Sequence, residues 1–151
     1  MAKVSIVTDS TVNLPDSYIS EYGIQVAPQI VIWDGVTYQD GIDIHTKEFY
    51  ERLKNSASSP TTSQVSIVKF KEVFQSQLDQ GNDVLCVTIS SRLSGTMNSA
   101  IQAKEAFPGA KIELIDSRMA SMALGFQVLQ AARAAQNGAS LSECKSVVER
   151  A

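Results

Sequence analysis

An apolar run from Val84 to Ile89 leads into Ser90, Ser91, Arg92, Leu93, Ser94, Gly95 and Thr96, and then into a helical pattern. A strand that ends in hydroxyls at the start of a helix sets Ser and Thr oxygens beside free backbone N–H groups at the positive end of the helix dipole, where a carboxylate or phosphate is favoured. Two other strand ends carry the same chemistry: Val4 to Val7 stops at Thr8, Asp9, Ser10 and Thr11, and Ile112 to Ile115 stops at Asp116 and Ser117, with Ser121 a turn further on. A fourth cluster, Thr61, Thr62 and Ser63 with Gln64, precedes another helix. Strand ends rich in Ser, Thr and Asp predict a parallel sheet whose carboxyl edge is the working surface, because ligands of open α/β sheets bind in the crevice outside those ends. Asp9 and Asp116 read as structural residues that bond loop amides and shape the crevice, with Ser10 and Ser121 beside them.

Several chemistries are set aside by spacing. An aspartyl phosphotransferase needs a second Asp two residues after the nucleophile, but Asp9 is followed by Ser10 and Thr11. A nucleotide loop of the GxGxxG or Walker kind is absent, Gly95 being alone in its loop. Ser94 has Arg92 and Thr96 where a hydrolase elbow needs glycines. His45, the single histidine, has no partner for a triad or a metal and reads as solvated. No catalytic residue, metal ligand or cofactor is therefore expected. Bland roles stand beside the anion site: Ser94 or Thr96 could serve only as an N-cap, Trp33 reads as a hairpin anchor, and Met97, Met119 and Met122 suit either an adaptable apolar pocket or core filling.

The elements that must position these groups follow from composition and periodicity. A chain of 151 residues, 44% hydrophobic and 19% charged, supports one good core and one domain. A net charge of −3 without any basic block argues against a nucleic-acid surface. The first residues run straight into a strand and no apolar run approaches the roughly 20 residues that span a bilayer, so a cytoplasmic protein is expected. Cys86 and Cys144 read as small buried hydrophobes. After the first strand, Pro15 and Gly23 bracket a short helix, Val26 to Ile32 reads as one strand, and the turns at Asp34–Gly35 and Asp40–Gly41 read as a hairpin excursion. Thr46 is expected to cap a helix through Leu53, and Ser56 to Ser63 reads as a polar loop. Helical spacing runs from Ser66 to Leu78, from Thr96 to Ala106, and from Ala120 to Gln136. Ser140 and Glu143 form a capping box for a last helix with the apolar stripe Leu141, Cys144, Val147 and Val148. That stripe stops close to the end of the sequence, which suggests that the natural polypeptide continues as a larger protein; the alternative is that the helix simply packs on the sheet.

Taken in order, these segments resemble the amino-terminal domain of the DegV family of bacterial fatty-acid-binding proteins. The matching residues are Thr8–Thr11; Tyr38 through Ile44; Glu48, Phe49 and Tyr50; Pro60 through Gln64; Ser90 through Ala100; and Ile115, Asp116 and Ser117 with Ser121 and Gly125. Val65 stands where the family usually has proline, Met97 where an aromatic residue is common, and Ala123 where glycine is frequent. The resemblance implies an α/β fold with a mainly parallel sheet and helices on both faces. It further implies a long-chain fatty acid whose carboxylate lies near Thr62, Ser63 and Ser94, with Gly95 and Thr96 offering amides and Ser117 nearby. It also implies a second domain that covers the acyl chain, a separate fatty acid kinase that phosphorylates the bound carboxylate to an acyl phosphate, and at most transient membrane contact. A stand-alone lipid buffer, sensor or transport module is the alternative. At about 0.8 kcal/mol per buried methylene, roughly 14 methylenes would contribute on the order of 10 kcal/mol before ordering costs, so the tail dominates affinity and the hydroxyls place the head group.

Overall fold

In the computed structural model, which describes residues 1–151, two sheets divide the strands. The first is wholly parallel and built from β1 (Val4–Asp9), β2 (Gln25–Ala27), β6 (Asp83–Thr88) and β7 (Ile112–Asp116), in the order β2-β1-β6-β7. The second is antiparallel and smaller: β3 (Ile30–Trp33) is central, with β4 (Val36–Gln39) on one side and β5 (Thr61–Ser63) on the other. The order of the parallel sheet reverses between β1 and β6, so the crevice beyond their carboxyl ends is the switch point at which such sheets take ligands.

Alternation along β1 and β6 sends side chains to both faces. Val4, Ile6, Leu85 and Val87 join one core with α5 (Ser121–Gln136) and α6 (Leu141–Arg150), and α1 (Asp16–Tyr22) adds Ile19 and Tyr22 to it. Val7, Val84 and Cys86 join the other with Phe70 and Phe74 of α3 (Ile67–Asp79) and Ala100 and Ala103 of α4 (Thr96–Lys104). Both cysteines are free and buried, as small hydrophobes are. In α5, a Cβ on Gly125 would stand 2.7 Å from the Val12 carbonyl, so the absence of a side chain there lets the helix lie against the short 3₁₀ turn Ser10–Val12. Ser66 caps α3 through the Lys69 amide, and Ser140 and Glu143 complete the reciprocal box expected for α6. No helix is long and apolar enough to cross a membrane.

Three local expectations are corrected. The run Val26 to Ile32 is two strands in different sheets, because Pro28, which has no N–H to give a ladder, separates β2 from β3. Thr61–Ser63 is a strand instead of part of a polar loop, pairing Thr62 with Val31 and Ser63 with Ile30. His45, not Thr46, holds the N-cap position of α2 (Thr46–Asn55), and no side chain caps it. Helix α2 is fastened to the small sheet instead by Trp33. That ring is fully buried, meets Phe49 edge-on at 5.3 Å, lies under the Arg52 guanidinium at 4.4 Å, and donates Nε1–H to the Ser56 and Ser58 hydroxyls.

Candidate functional site: a hydroxyl-lined cleft at the switch point

The two strand ends at the switch point are clipped together by one buried carboxylate. Asp9 Oδ2 accepts the Ile89 amide at 2.7 Å, across the end of β6, while Oδ1 accepts the amide and hydroxyl of Thr11 at 3.0 and 2.5 Å. Ser10 then accepts the Gln29 amide at 2.9 Å, which ties the connection between β2 and β3 to the same point. On the other flank, Asp116 Oδ1 accepts the amides of Ser91 and Arg118 at 3.1 and 3.0 Å. Burial opposes ionisation of Asp116, but the bonds from Ser91 and Arg118 outweigh it and hold the carboxyl below its ordinary range. Ser117 exchanges hydrogen bonds with Met119, whose carbonyl accepts the Ser90 amide at 2.8 Å, so the β7–α5 connection buttresses the loop that carries Ser94. Ser121 accepts from the Asn13 side chain at 2.8 Å, and both residues are in the left-handed backbone region, at φ 57° and 48°.

Between these clips and the small sheet lies a cleft of about 390 Å³. Ser94, Gly95, Thr62, Ser63, Gln64 and Gln29 supply most of its polar wall, Val31, Ile89 and Leu93 its apolar wall, and Thr11 and Asp40 complete it. No Lys, Arg or His lines it. Gly95 is the N-cap residue of α4, so the cleft opens onto the positive end of that helix, and no group of the chain engages the Gly95 amide. Thr62 and Ser63 are exposed, and their hydroxyls are uncommitted. A larger groove of about 670 Å³ shares Val31, Asp40 and Thr62 with the cleft. It runs between Val12, Leu14 and Ile19 on one side and Ile42, Phe49 and Tyr50 on the other. One continuous depression therefore passes from hydroxyls to hydrocarbon.

The structure brings Thr62, Ser63, Ser94 and Gly95 into the cleft wall and leaves Thr96 and Ser117 behind it. Thr96 is fully buried, with its hydroxyl among Gln29, Ser94 and Val65, and Ser117 is buried against Met119. Asp9, Ser10, Asp116 and Ser121 bond neighbouring loop groups as described above. Sequence reasoning missed Gln29, Asp40 and the apolar trio Val31, Ile89 and Leu93 as parts of the site. For Gln29 a signal existed, a lone amide inside an apolar run just after Pro28. For Val31 and Ile89 none did, because each also reads as an ordinary strand residue.

Known proteins resemble the chain in sequence and fold over nearly all of its length. Residues 3–151 match the family model described as "Uncharacterised protein, DegV family". A DegV domain-containing protein of Caldanaerobacter subterraneus subsp. tengcongensis is 43% identical over 148 residues, which is 98% of this chain and 52% of that protein. Among solved structures, a DegV family protein from Thermus thermophilus, described for its fatty acid binding, superposes with a TM-score of 0.88 at 35% identity, over 98% of this chain and 52% of that one. A stearic acid-binding protein from Eubacterium ventriosum superposes with a TM-score of 0.87 at 33% identity, over 99% of this chain and 52% of that one. The chain spans about half the length of the relatives it matches. By sequence and by fold together, the chain belongs to the DegV family.

Proposed function

We propose that the chain binds a long-chain fatty acid with its carboxylate in the cleft and presents it to a separate kinase. The observation that carries this reading is the meeting of uncommitted hydroxyls and a free helix N-terminal amide with a contiguous apolar groove, in a wall without a cation. A carboxylate taken from water stays charged only if its oxygens are hydrogen-bonded. Ser94, Thr62 and Ser63 supply O–H donors, Gly95 supplies N–H, and the α4 dipole favours negative charge there. The first methylenes then meet Val31, Ile89 and Leu93, and the remaining chain needs more apolar cover, for which the relatives' additional length is the natural source. Thr96 and Ser117 act from behind the wall, and Asp9, Ser10, Asp116 and Ser121 hold its loops.

The chemistry assigned to the kinase is attack of a carboxylate oxygen on the terminal phosphoryl group of a nucleoside triphosphate, forming an acyl phosphate and releasing the diphosphate. An acyl carrier suits this step because the hydroxyl cleft keeps the carboxylate ionised and therefore nucleophilic. The test is titration of the purified chain with palmitate, for the parent and for Ser94→Ala. Loss of one charge-assisted hydrogen bond, about 1.5–3 kcal/mol, weakens binding by roughly 10- to 150-fold, with thermal unfolding moved by only a few degrees. Equal affinity in the variant would remove Ser94 from the site. Acyl phosphate formed only when a fatty acid kinase and nucleotide are added would support presentation; binding without it would leave a lipid buffer, sensor or transport module.

A further inference from the structure

The hydroxyl of Ser94 does not act alone. Thr96 Oγ1, which is fully buried, has one proton and two lone pairs to place. Gln29 Nε2 donates to it at 2.9 Å, and the Val65 amide, which can only donate, does so at 3.4 Å. Both lone pairs are then occupied, so the Thr96 proton has one remaining partner, Ser94 Oγ at 2.9 Å. Ser94 Oγ also accepts the Thr96 amide at 3.2 Å, which fills its second lone pair. What Ser94 has left is its own proton, and Ser94 lines the cleft.

We infer that Gln29 and Thr96 are positioning residues that fix the direction of this hydroxyl chain, making Ser94 an obligate donor and the cleft selective for the ionised carboxylate over head groups that must themselves donate. The inference rests on the carboxylate reading of the cleft. Gln29 is held where this role needs it. Its side chain is buried, its amide donates to Ser10 at 2.9 Å, and its carbonyl accepts the Asp40 amide at 2.9 Å, so the backbone is fixed on both sides. Successive donation from amide to hydroxyl to hydroxyl also polarises each O–H in turn, which strengthens the last donor. An alcohol or a protonated acid can accept the Ser94 proton, but its own proton finds no open lone pair on Ser94 and must go to Asp40, Thr62, Ser63 or water. A carboxylate brings only acceptors.

The experiment compares palmitate with hexadecanol, which share a tail and differ in the head group. The parent chain, Gln29→Met and the pair Thr96→Ser and Thr96→Val are titrated with both, and each variant's unfolding temperature is recorded. Gln29→Met keeps the length of the side chain and removes the donor, so the Thr96 proton is no longer directed. Palmitate binding is expected to weaken several-fold, less than in Ser94→Ala because the Ser94 hydroxyl remains and loses only its direction, while hexadecanol binding stays within about twofold. Thr96→Ser should keep the parent's preference and Thr96→Val should lose it. A palmitate-to-hexadecanol ratio unchanged in Gln29→Met overturns the inference, as do equal ratios for Thr96→Ser and Thr96→Val should Gln29→Met fail to fold. A parent chain that binds neither probe is a different result, since it removes the carboxylate reading itself.

Discussion

Replacing Gly95 by alanine tests the construction of the cleft wall with one methyl group. The backbone there, φ −77° and ψ 6°, is open to any residue, so the substitution introduces no conformational strain. Its effect comes from contact: a Cβ would lie 2.0 Å from Gln64 Oε1, 2.7 Å from Cδ and 3.1 Å from Nε2. Ordinary contact begins near 3.5 Å, so the carboxamide must retreat by about 1.5 Å. That retreat breaks its 3.0 Å hydrogen bond to Ser99, whose hydroxyl is buried. Losing the bond costs about 1 kcal/mol, and alanine for glycine at an N-cap costs up to about 1 kcal/mol more. A total near 2 kcal/mol lowers the melting temperature by roughly 4–8 °C in a domain of this size. Gln64 and Gly95 both line the cleft, so the new methyl and the displaced amide alter its wall and palmitate affinity should fall by about tenfold. Differential scanning fluorimetry and a palmitate titration read the two effects. Adding Gln64→Ala to Gly95→Ala should cost little more than Gly95→Ala alone, because the hydrogen bond to Ser99 is already lost in the single variant, so the pair falls short of additivity by about 1 kcal/mol. An unchanged melting temperature with unchanged affinity in Gly95→Ala would refute the packing of Gln64 over Gly95, and a double variant that is merely additive would refute the stated cause.

Other expectations follow from single residues. Phe74 is fully buried, stacked 5.6 Å from Phe70 and edge-on to Phe107, so Phe74→Ala should cost about 3–5 kcal/mol in chemical denaturation; a loss below about 1 kcal/mol would contradict the packing of α3 on the sheet. Ser140→Ala removes the α6 cap and should cost about 1 kcal/mol with fraying confined to α6 by hydrogen exchange. Asp116, held below its ordinary range, contributes stability that is fully present above the unfolded carboxyl value near 3.9 and is lost as pH falls through the folded one. Acid titration of the parent should therefore show a steeper loss of stability below about pH 4 than Asp116→Asn does; coincident acid limbs would show that Asp116 bonds nothing in solution.

Much of this protein is written in short stretches of sequence. Apolar spacing placed α3, α4 and α5 within a few residues and the Ser140–Glu143 box marked the start of α6, whereas the cap expected at Thr46 is not made and Gly95, not Ser94 or Thr96, holds the N-cap of α4. Alternation in β1 and β6 implied a sheet covered on both faces, and hydroxyls at the ends of β1, β6 and β7 pointed to the edge where the cleft is found. What only the tertiary structure decided are relations between distant residues. Strand β5 exists because Thr61–Ser63 finds an open edge of β3, a pairing that a polar tripeptide does not advertise. The division of Val26–Ile32 between two sheets depends on what each half meets beyond Pro28. The cleft wall is of the same kind: Gln29 reaches Thr96 across 67 positions and Asp9 reaches Ile89 across 80. Local patterns record a residue's own backbone preference and which side of it is apolar, whereas a hydrogen bond across a fold depends on chain geometry far from either partner. That is why Ser94 was recognisable as a candidate donor, while the groups that direct its proton came into view only when the chain was folded.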